Sequence, residues 1–229
     1  ARQMTLFDRA IFDRITASEW LCLGWPDGEG SAFVEQNRAE NICSLVRRFQ
    51  VLERWSIGWV LRGKTVEEKM SALLYLVDLA LELLAIHSLH SALGLLGGIQ
   101  SAFLSSYKAA LPQEKRAKIG ALEQLTSYAH YRGWFKDQSS RACMPFITPH
   151  LQSIALCSAA TPTFSDRGLT INFSKCTALH RLVSELSRVS SHPYPYLPVQ
   201  QIQSVVDTAA LEKDSPSANE LMALPLVFD

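Results

Sequence analysis

The sequence lacks an excess of charge of either sign. Its 229 residues include 22 lysine and arginine residues and 22 aspartate and glutamate residues. Proteins that bind nucleic acid or an anionic membrane usually carry a strong basic patch. The most basic segment, "EKRAK" from Glu114 to Lys118, contains its own acidic residue and is typical of a solvated helix face. The balance therefore argues against a nucleic-acid partner.

A disulfide pattern is also missing. The five cysteines, an odd number with scattered spacing and no Cys-x-x-Cys pair, are Cys22, Cys43, Cys143, Cys157 and Cys176. Such cysteines are typical of free thiols in a reducing compartment. The opening "ARQMTLFDRA" is amphipathic and charged from its second residue, unlike a secretory leader. We therefore expect a cytoplasmic protein.

No uninterrupted hydrophobic run has the length of a membrane span. The most apolar stretch, residues 70–99, is interrupted by polar residues such as Asp78 and Glu82 and by the pair Gly97–Gly98. A span would carry these residues only at high cost. The stretch instead predicts two buried helices of a soluble protein, the second ending at Gly97–Gly98.

Signatures of covalent catalysis and of phosphate binding are absent as well. The sequence has no GxxxxGK[ST], GxGxxG, HExxH or GxSxG. His87 and His90 have a spacing that suits two metal ligands on one helix face, but no carboxylate or cysteine cluster completes the set. His150 and Cys157 would suit a base and a thiol nucleophile, but both lie in an apolar run. We therefore expect no metal, no cofactor and no covalent chemistry.

The sequence does contain apolar residues at helical spacing along most of its length. Two capping boxes, Thr16 with Glu19 and Thr65 with Glu68, predict helix starts. A long amphipathic helix is predicted between them, from Arg38 to Leu61. The only strand candidate is "LTINF". The pattern predicts a single all-α domain.

Three further helices are predicted in the second half of the chain. Pro112 suits the first turn of a charged helix. Ser174 is predicted to cap an amphipathic helix. The last predicted helix carries apolar residues at Val199, Ile202, Val205 and Val206.

One long segment has no charged residue at all. From Ala142 to Ser165 the chain reads "ACMPFITPHLQSIALCSAATPTFS", with no Asp, Glu, Lys or Arg. Composition alone favours a core segment, because charged residues are rarely fully buried unless they are paired. Pro149 is expected to kink a helix here unless it lies in the first turn.

Seven segments occur in an order that is typical of one protein family. "ARQMTLFDRAIFDRITASEW" resembles that family's ARQLTL opening, and "YAHYRGWF" resembles its N-Y-x-x-Y-R-x-x-L. "ACMPFITPHLQSI" resembles its P-C-[IV]-P-F-x-G-x-Y-L, and "LTINFSKCTALHRLVSEL" its I-N-F-x-K helix. The remaining segments are "NICSLVRRFQVLERWSIGWVL", "TVEEKMSALLYLVDLALELLAIHSLHSALGLLGGIQS" and "NELMALPLVFD". The family that they resemble is the catalytic domain of Ras-family guanine nucleotide exchange factors, the RasGEF domain.

The resemblance implies a single-domain helical bundle over residues 1–229 with a protruding helical hairpin. The match starts inside the family's first segment, so we expect this domain to belong to a longer protein. In the family the hairpin inserts beside the nucleotide of a small GTPase and displaces switch I. The uncharged segment falls on this hairpin, and an inserting surface should be short of charge because each buried unpaired charge costs several kcal/mol.

The resemblance also assigns residues to the catalytic hairpin. Phe146 and Leu151 fall at its base, and Ala155 and Leu156 fall near its tip. Ala159 falls at about the position of a family glutamate that reaches toward the phosphate-binding lysine and serine of the GTPase. The wedge implied for this chain is therefore steric rather than electrostatic.

Four more residues correspond to the family's GTPase-binding positions. Val66, Lys69 and Tyr128 match residues that face switch II, although lysine lacks the bidentate fork of the family's arginine. Ser88 falls where a family asparagine braces the hairpin. A serine can hydrogen-bond but does not span the same gap.

Two functions follow from the resemblance. The first is exchange activity on a Ras, Rap or Ral-type GTPase, with preference for the nucleotide-free form and recruitment to the inner face of a membrane by the GTPase or by flanking domains. The second is a binding module that has weak or no exchange activity and docks a GTPase or a scaffold protein. An exposed hairpin favours the first, and a hairpin folded back around a kink at Pro149 favours the second.

Overall fold

The computed structural model describes residues 1–22, 39–138, 140–165, 170–217 and 220–221. The predicted terminal segment "NELMALPLVFD" lies almost entirely outside the described residues. The described part is helical apart from two very short strands, which confirms the all-α prediction. None of its helices is long and apolar enough to cross a membrane.

The elements follow one another with short connections. The helices are α1 (Arg2–Phe12), α2 (Ala17–Cys22), α3 (Glu40–Leu61), α4 (Val66–Ala85), α5 (Leu89–Ile99), the 3₁₀ helix η1 (Ala102–Leu104), α6 (Ser105–Ala109), α7 (Gln113–Gln124), α8 (Tyr128–Gln138), α9 (Thr148–Ala160), α10 (Phe173–Ser190), α11 (Gln200–Val206) and α12 (Thr208–Lys213). The antiparallel strands β1 (Phe164–Ser165) and β2 (Thr170–Ile171) connect α9 to α10.

Both predicted capping boxes form. The Glu19 N–H donates to Thr16 Oγ1 at 3.3 Å, and the Thr16 N–H donates to Glu19 Oε1 at 3.2 Å. At α4 the Glu68 N–H donates to Thr65 Oγ1, while the Glu68 carboxylate accepts from the N–H of Lys64. Each box satisfies N–H groups that a helix start leaves without partners.

Helix α5 is the centre of the core, packed against α3 and α4. It is apolar on all sides, and ten of its eleven residues are buried, as expected of a central helix. It ends at Ile99, not at Gly97–Gly98 as predicted from the sequence. A side chain at Gly98 would collide with Ser56 of α3, so this glycine permits close helix packing rather than helix termination.

A buried ion pair joins four elements around this core. Arg48 of α3 pairs with Asp8 of α1, and Ser91 of α5 also donates to the Asp8 carboxylate. Arg48 Nη1 donates to the carbonyl of Val206 in α11 at 2.8 Å. A buried charge pair needs such additional hydrogen bonds to offset its desolvation.

One sequence prediction for the later helices needs correction. Helix α10 is capped by Asn172, whose Oδ1 accepts from the Lys175 N–H at 3.1 Å, and not by Ser174. The predicted last helix corresponds to α11; Val199, Ile202 and Val205 are exposed, and Val206 is half-buried against the core.

Candidate functional site

Helices α9 and α10 pack against each other and are joined by β1 and β2, which makes them a helical hairpin. The uncharged segment found in the sequence forms α9 and the residues on either side of it. Pro149 lies in the first turn of α9, where its missing N–H costs no helical hydrogen bond. The helix therefore has no proline in its interior, and the condition for the sequence-predicted kink is not met.

The base of the hairpin is joined to the core by backbone hydrogen bonds. The Leu89 N–H donates to the carbonyl of Met144 at 2.9 Å, and the Met144 N–H donates to the carbonyl of His87 at 2.8 Å. His87 has a φ of 61°, a left-handed conformation in which asparagine and histidine are several-fold enriched. This conformation turns the chain between α4 and α5 while the His87 carbonyl faces Met144.

Ser88, predicted as a GTPase-binding residue, is completely buried, so it is not part of an exposed surface. Its Oγ has no hydrogen-bond partner among the described residues. The bracing role assigned to this position is carried by the backbone of His87 and Leu89 instead. A side chain shorter than asparagine is tolerated because the backbone makes the connection.

Aromatic rings pack around the start of the hairpin. Phe146 is half-buried, and its ring centroid lies 5.4 Å from that of Phe49 and 6.3 Å from that of His90. His90 is itself buried, with Nε2 3.2 Å from the carbonyl of Leu45. Burial lowers the pKa of His90, which favours the neutral imidazole in the core.

His150 holds α9 against α8 in the same way. Its Nε2 lies 2.6 Å from the hydroxyl of Tyr131, and its ring meets that of Phe135 edge-on at 4.7 Å. Burial, with a smaller contribution from Arg132, lowers the pKa of His150 to about 3. The imidazole is neutral and shares a hydrogen bond with the Tyr131 hydroxyl, whose own pKa is raised by burial. His150 is thus engaged in packing and is not an activating base for Cys157.

The predicted tip residues lie on an exposed side of α9. Leu156 is 71% exposed, and Ala155 and Ala159 are exposed as well, whereas Leu151 nearer the base is half-buried. Ile154 and Ser158, on the opposite side of the helix, are buried. The exposed α9 face, defined as Ala155, Leu156 and Ala159, is therefore small, uncharged and available to a partner.

The residues predicted to face switch II lie at the ends of two other helices. Val66, at the start of α4, is 61% exposed, and Tyr128, at the start of α8, is 54% exposed. The Tyr128 hydroxyl lies 3.3 Å from Ser153 Oγ, so this side chain borders the hairpin. Lys69 is half-buried, and its ammonium lies 5.8 Å from the ring centroid of Tyr107.

An apolar groove lies elsewhere. It has a volume of about 670 Å³ and is lined chiefly by apolar and aromatic residues of α3, α4 and α11, including Trp55, Trp59 and Tyr75. None of the nine predicted site residues lines it. Most residues of the candidate site therefore form an exposed surface outside this groove, which suits a protein partner better than a small molecule.

Several residues that hold the hairpin were not identified from the sequence. Arg9 of α1 donates to carbonyls at both ends of the hairpin, and Asn172 and Lys175 of α10 bind the end of α9. Asn172 and Lys175 belong to the quoted I-N-F-x-K segment, so the family motif contained them, but the sequence analysis assigned them no role. No motif or residue spacing pointed to Arg9.

Comparison with known proteins finds a matching family and similar proteins. The RasGEF domain family matches residues 1–177. The chain is 26% identical over 223 residues to Ras guanine nucleotide exchange factor H of Dictyostelium discoideum, covering 94% of the chain and 36% of that protein. It is 24% identical over 239 residues to the Ras-specific guanine nucleotide-releasing factor RalGPS1 of Gallus gallus, covering 99% of the chain and 40% of that protein. The chain thus spans well under half the length of these relatives.

Proposed function

Because the chain belongs to the RasGEF domain family, we propose that it is a guanine nucleotide exchange factor that binds a Ras-type small GTPase and promotes GDP release. The family match covers residues 1–177, and the relatives align with nearly the whole chain, so we propose that residues 1–229 act as one catalytic domain. The relatives carry Ras in their names, which makes Ras the first GTPase to test, with Rap and Ral beside it.

The observation that carries this proposal is the exposed α9 face on a hairpin whose base is held by the core. Ala155, Leu156 and Ala159 offer an uncharged surface to a partner, while Phe146 packs against Phe49 at the start of the hairpin. Insertion of such a face beside the nucleotide would displace switch I without burying an unpaired charge. Val66, Lys69 and Tyr128 would then contact switch II.

Exchange of this kind is differential binding and involves no covalent step. The domain would bind the nucleotide-free GTPase more tightly than the GDP-bound form and so lower the barrier to release. A ten-thousandfold acceleration corresponds to about 5.5 kcal/mol of barrier. We propose that this occurs in the cytoplasm, at the inner face of a membrane to which the GTPase or flanking domains recruit the protein.

One observation favours a second candidate, a binding module with weak or no exchange activity. No Asp or Glu occurs from Ala142 to Ser165, so the family's hairpin glutamate has no counterpart. Loss of one charge-assisted contact removes about 1.5–3 kcal/mol, or roughly a factor of 10 to 150 in rate. Such a module would bind a GTPase or a scaffold protein without releasing GDP.

The test is the release of fluorescent GDP from Ras, Rap and Ral with the purified domain at micromolar concentration. Faster release from one GTPase is expected, and Phe146→Ala should abolish it while Phe146→Leu, which keeps apolar volume, retains part of it. Flat traces from all three GTPases, with a folded domain by circular dichroism, would contradict exchange activity. Capture of a nucleotide-free GTPase by that inactive domain would then support the binding module.

A further inference from the structure

We propose that Lys175 is a positioning residue that fixes the end of α9 against α10 and thereby sets the location of the exposed α9 face. The expected effect on GDP release rests on the proposed exchange function, whereas the positioning role itself rests on hydrogen bonds in the structure. It concerns the end of the hairpin farthest from the core connections at Met144.

The side chain of Lys175 is buried, although lysine is rarely so, and its ammonium makes three hydrogen bonds to one short segment. Nζ donates to the carbonyl of Ser158 at 2.7 Å, to the carbonyl of Thr161 at 2.8 Å and to Thr163 Oγ1 at 3.1 Å. The last carbonyls of a helix have no partner within the helix and carry partial negative charge. A buried cation at this place satisfies them and complements the helix dipole.

Asn172 strengthens the same connection from the start of α10. Its Nδ2 donates to the carbonyl of Pro162 at 3.2 Å, and its N–H donates to the carbonyl of Thr163 at 2.9 Å. Its Oδ1 caps α10 by accepting from the N–H of Lys175. The backbone N–H and the ammonium of Lys175 are therefore both used, which restricts the side chain to one direction.

The connection lies next to the proposed contact surface. Ser158 is adjacent in sequence to Ala159, and Ala155 is one helical turn earlier, about 5 Å along the axis. Without the ammonium, the carbonyls of Ser158 and Thr161 would lose this donor, and the last turn of α9 would open more often. The exposed α9 face would then no longer have one fixed position relative to Tyr128 and Val66.

The first measurement is amide hydrogen exchange by mass spectrometry on the domain alone. Lys175→Met should make amides of residues 154–163 exchange at least tenfold faster, while those of α4 and α5 keep wild-type protection. Arg181→Met is the matched control, because Arg181 is exposed on the same helix and the change removes the same charge. Unchanged protection at 154–163, or equal loss in both variants, overturns the inference.

The second measurement is GDP release as a function of domain concentration. Lys175→Met should lower the maximal release rate at least tenfold with a half-saturating concentration within twofold of wild type, because contacts to switch II remain. Lys175→Arg, which keeps a cation and its donors, should recover much of the rate. A loosened hairpin with an unchanged maximal rate overturns the inference, as does a general loss of folding. If the wild-type domain releases no GDP, the proposed function fails, and hydrogen exchange alone decides the role of Lys175.

Discussion

Arg9 Nη2 donates to the backbone carbonyl of Val189 at 2.7 Å, which ties the end of α10 to α1. The same guanidinium donates from Nη1 to the carbonyl of Cys143, just before α9, at 3.0 Å. One buried side chain therefore holds together the start and the finish of the hairpin segment, which meet at its base. Lys175 binds the opposite end of the hairpin, where α9 leads into α10.

Replacement of Arg9 by methionine should destabilise the whole domain. The carbonyls of Cys143 and Val189 would lose charged donors in the interior, and hydrogen bonds to charged groups contribute about 1.5–3 kcal/mol each. For the two bonds together, we expect the free energy of unfolding to fall by about 3–6 kcal/mol in urea titrations. Arg14→Met, the control at the exposed end of α1, should change it by less than about 0.5 kcal/mol. Equal effects of the two changes would contradict the anchoring role.

Local signals in the sequence were sufficient for most helices. Capping residues Thr16 and Thr65 located the starts of α2 and α4, because each cap is formed by residues within four positions of one another. At α10 the sequence analysis predicted Ser174 as the cap, whereas Asn172 caps the helix and its amide also donates to the carbonyl of Pro162. The contact with Pro162, ten positions earlier in the chain, is not visible in the sequence next to the helix start.

Contacts between distant residues could not be predicted from one sequence. Arg9 and Val189 are 180 positions apart, and nothing in the spacing of either residue relates them. The resemblance supplied the hairpin and its exposed residues, but it suggested a side-chain brace at Ser88. The structure makes that brace from the backbone N–H of Leu89 and the carbonyl of His87, the two neighbours of Ser88.

Leu156 provides a direct test of the exposed α9 face. Leu156→Glu should reduce GDP release at least tenfold, because a carboxylate would be buried without a partner in the complex, at a cost of several kcal/mol. The stability of the free domain should change by less than about 0.5 kcal/mol, since the side chain is solvated. Leu197→Glu, at an 85% exposed position outside the hairpin, is the matched control and should release GDP at the wild-type rate.

His150 should make the domain less stable in mild acid. Its pKa is lowered from 6.5 to about 3 in the folded state, chiefly by burial, so below pH 6.5 only the unfolded chain takes up this proton. The free energy of unfolding is therefore unaffected by His150 protonation above pH 6.5, and it falls by about 1.4 kcal/mol per pH unit from there down to about pH 3. Urea titrations at pH 7 and pH 4.5 should show this loss.

A variant isolates the contribution of His150 from that of other groups, including His90, whose pKa is also lowered. His150→Gln keeps an acceptor for the Tyr131 hydroxyl but does not titrate. It should be less stable than wild type at pH 7, with a difference that narrows by about 2–3 kcal/mol at pH 4.5. A stability difference that stays constant over this pH range would show that the pKa of His150 is the same in the folded and unfolded states.

A carboxylate introduced on the hairpin should raise the rate of GDP release if the missing glutamate is all that limits exchange. Ala159 is exposed and lies at about the position of the family's glutamate, so Ala159→Glu places an acid beside the proposed phosphate-binding groups of the GTPase. An acidic residue in the last turn of α9 costs about 0.3–1 kcal/mol of stability through the helix dipole. We expect about tenfold faster GDP release, corresponding to about 1.4 kcal/mol of barrier.

Ala160→Glu is the control, because it adds the same charge to the same helical turn but points about 100° away around the helix axis. It should lower the stability of the domain by the same amount without any gain in the rate of GDP release. Equal acceleration by both variants would mean that general attraction of charges, not a positioned carboxylate, limits release.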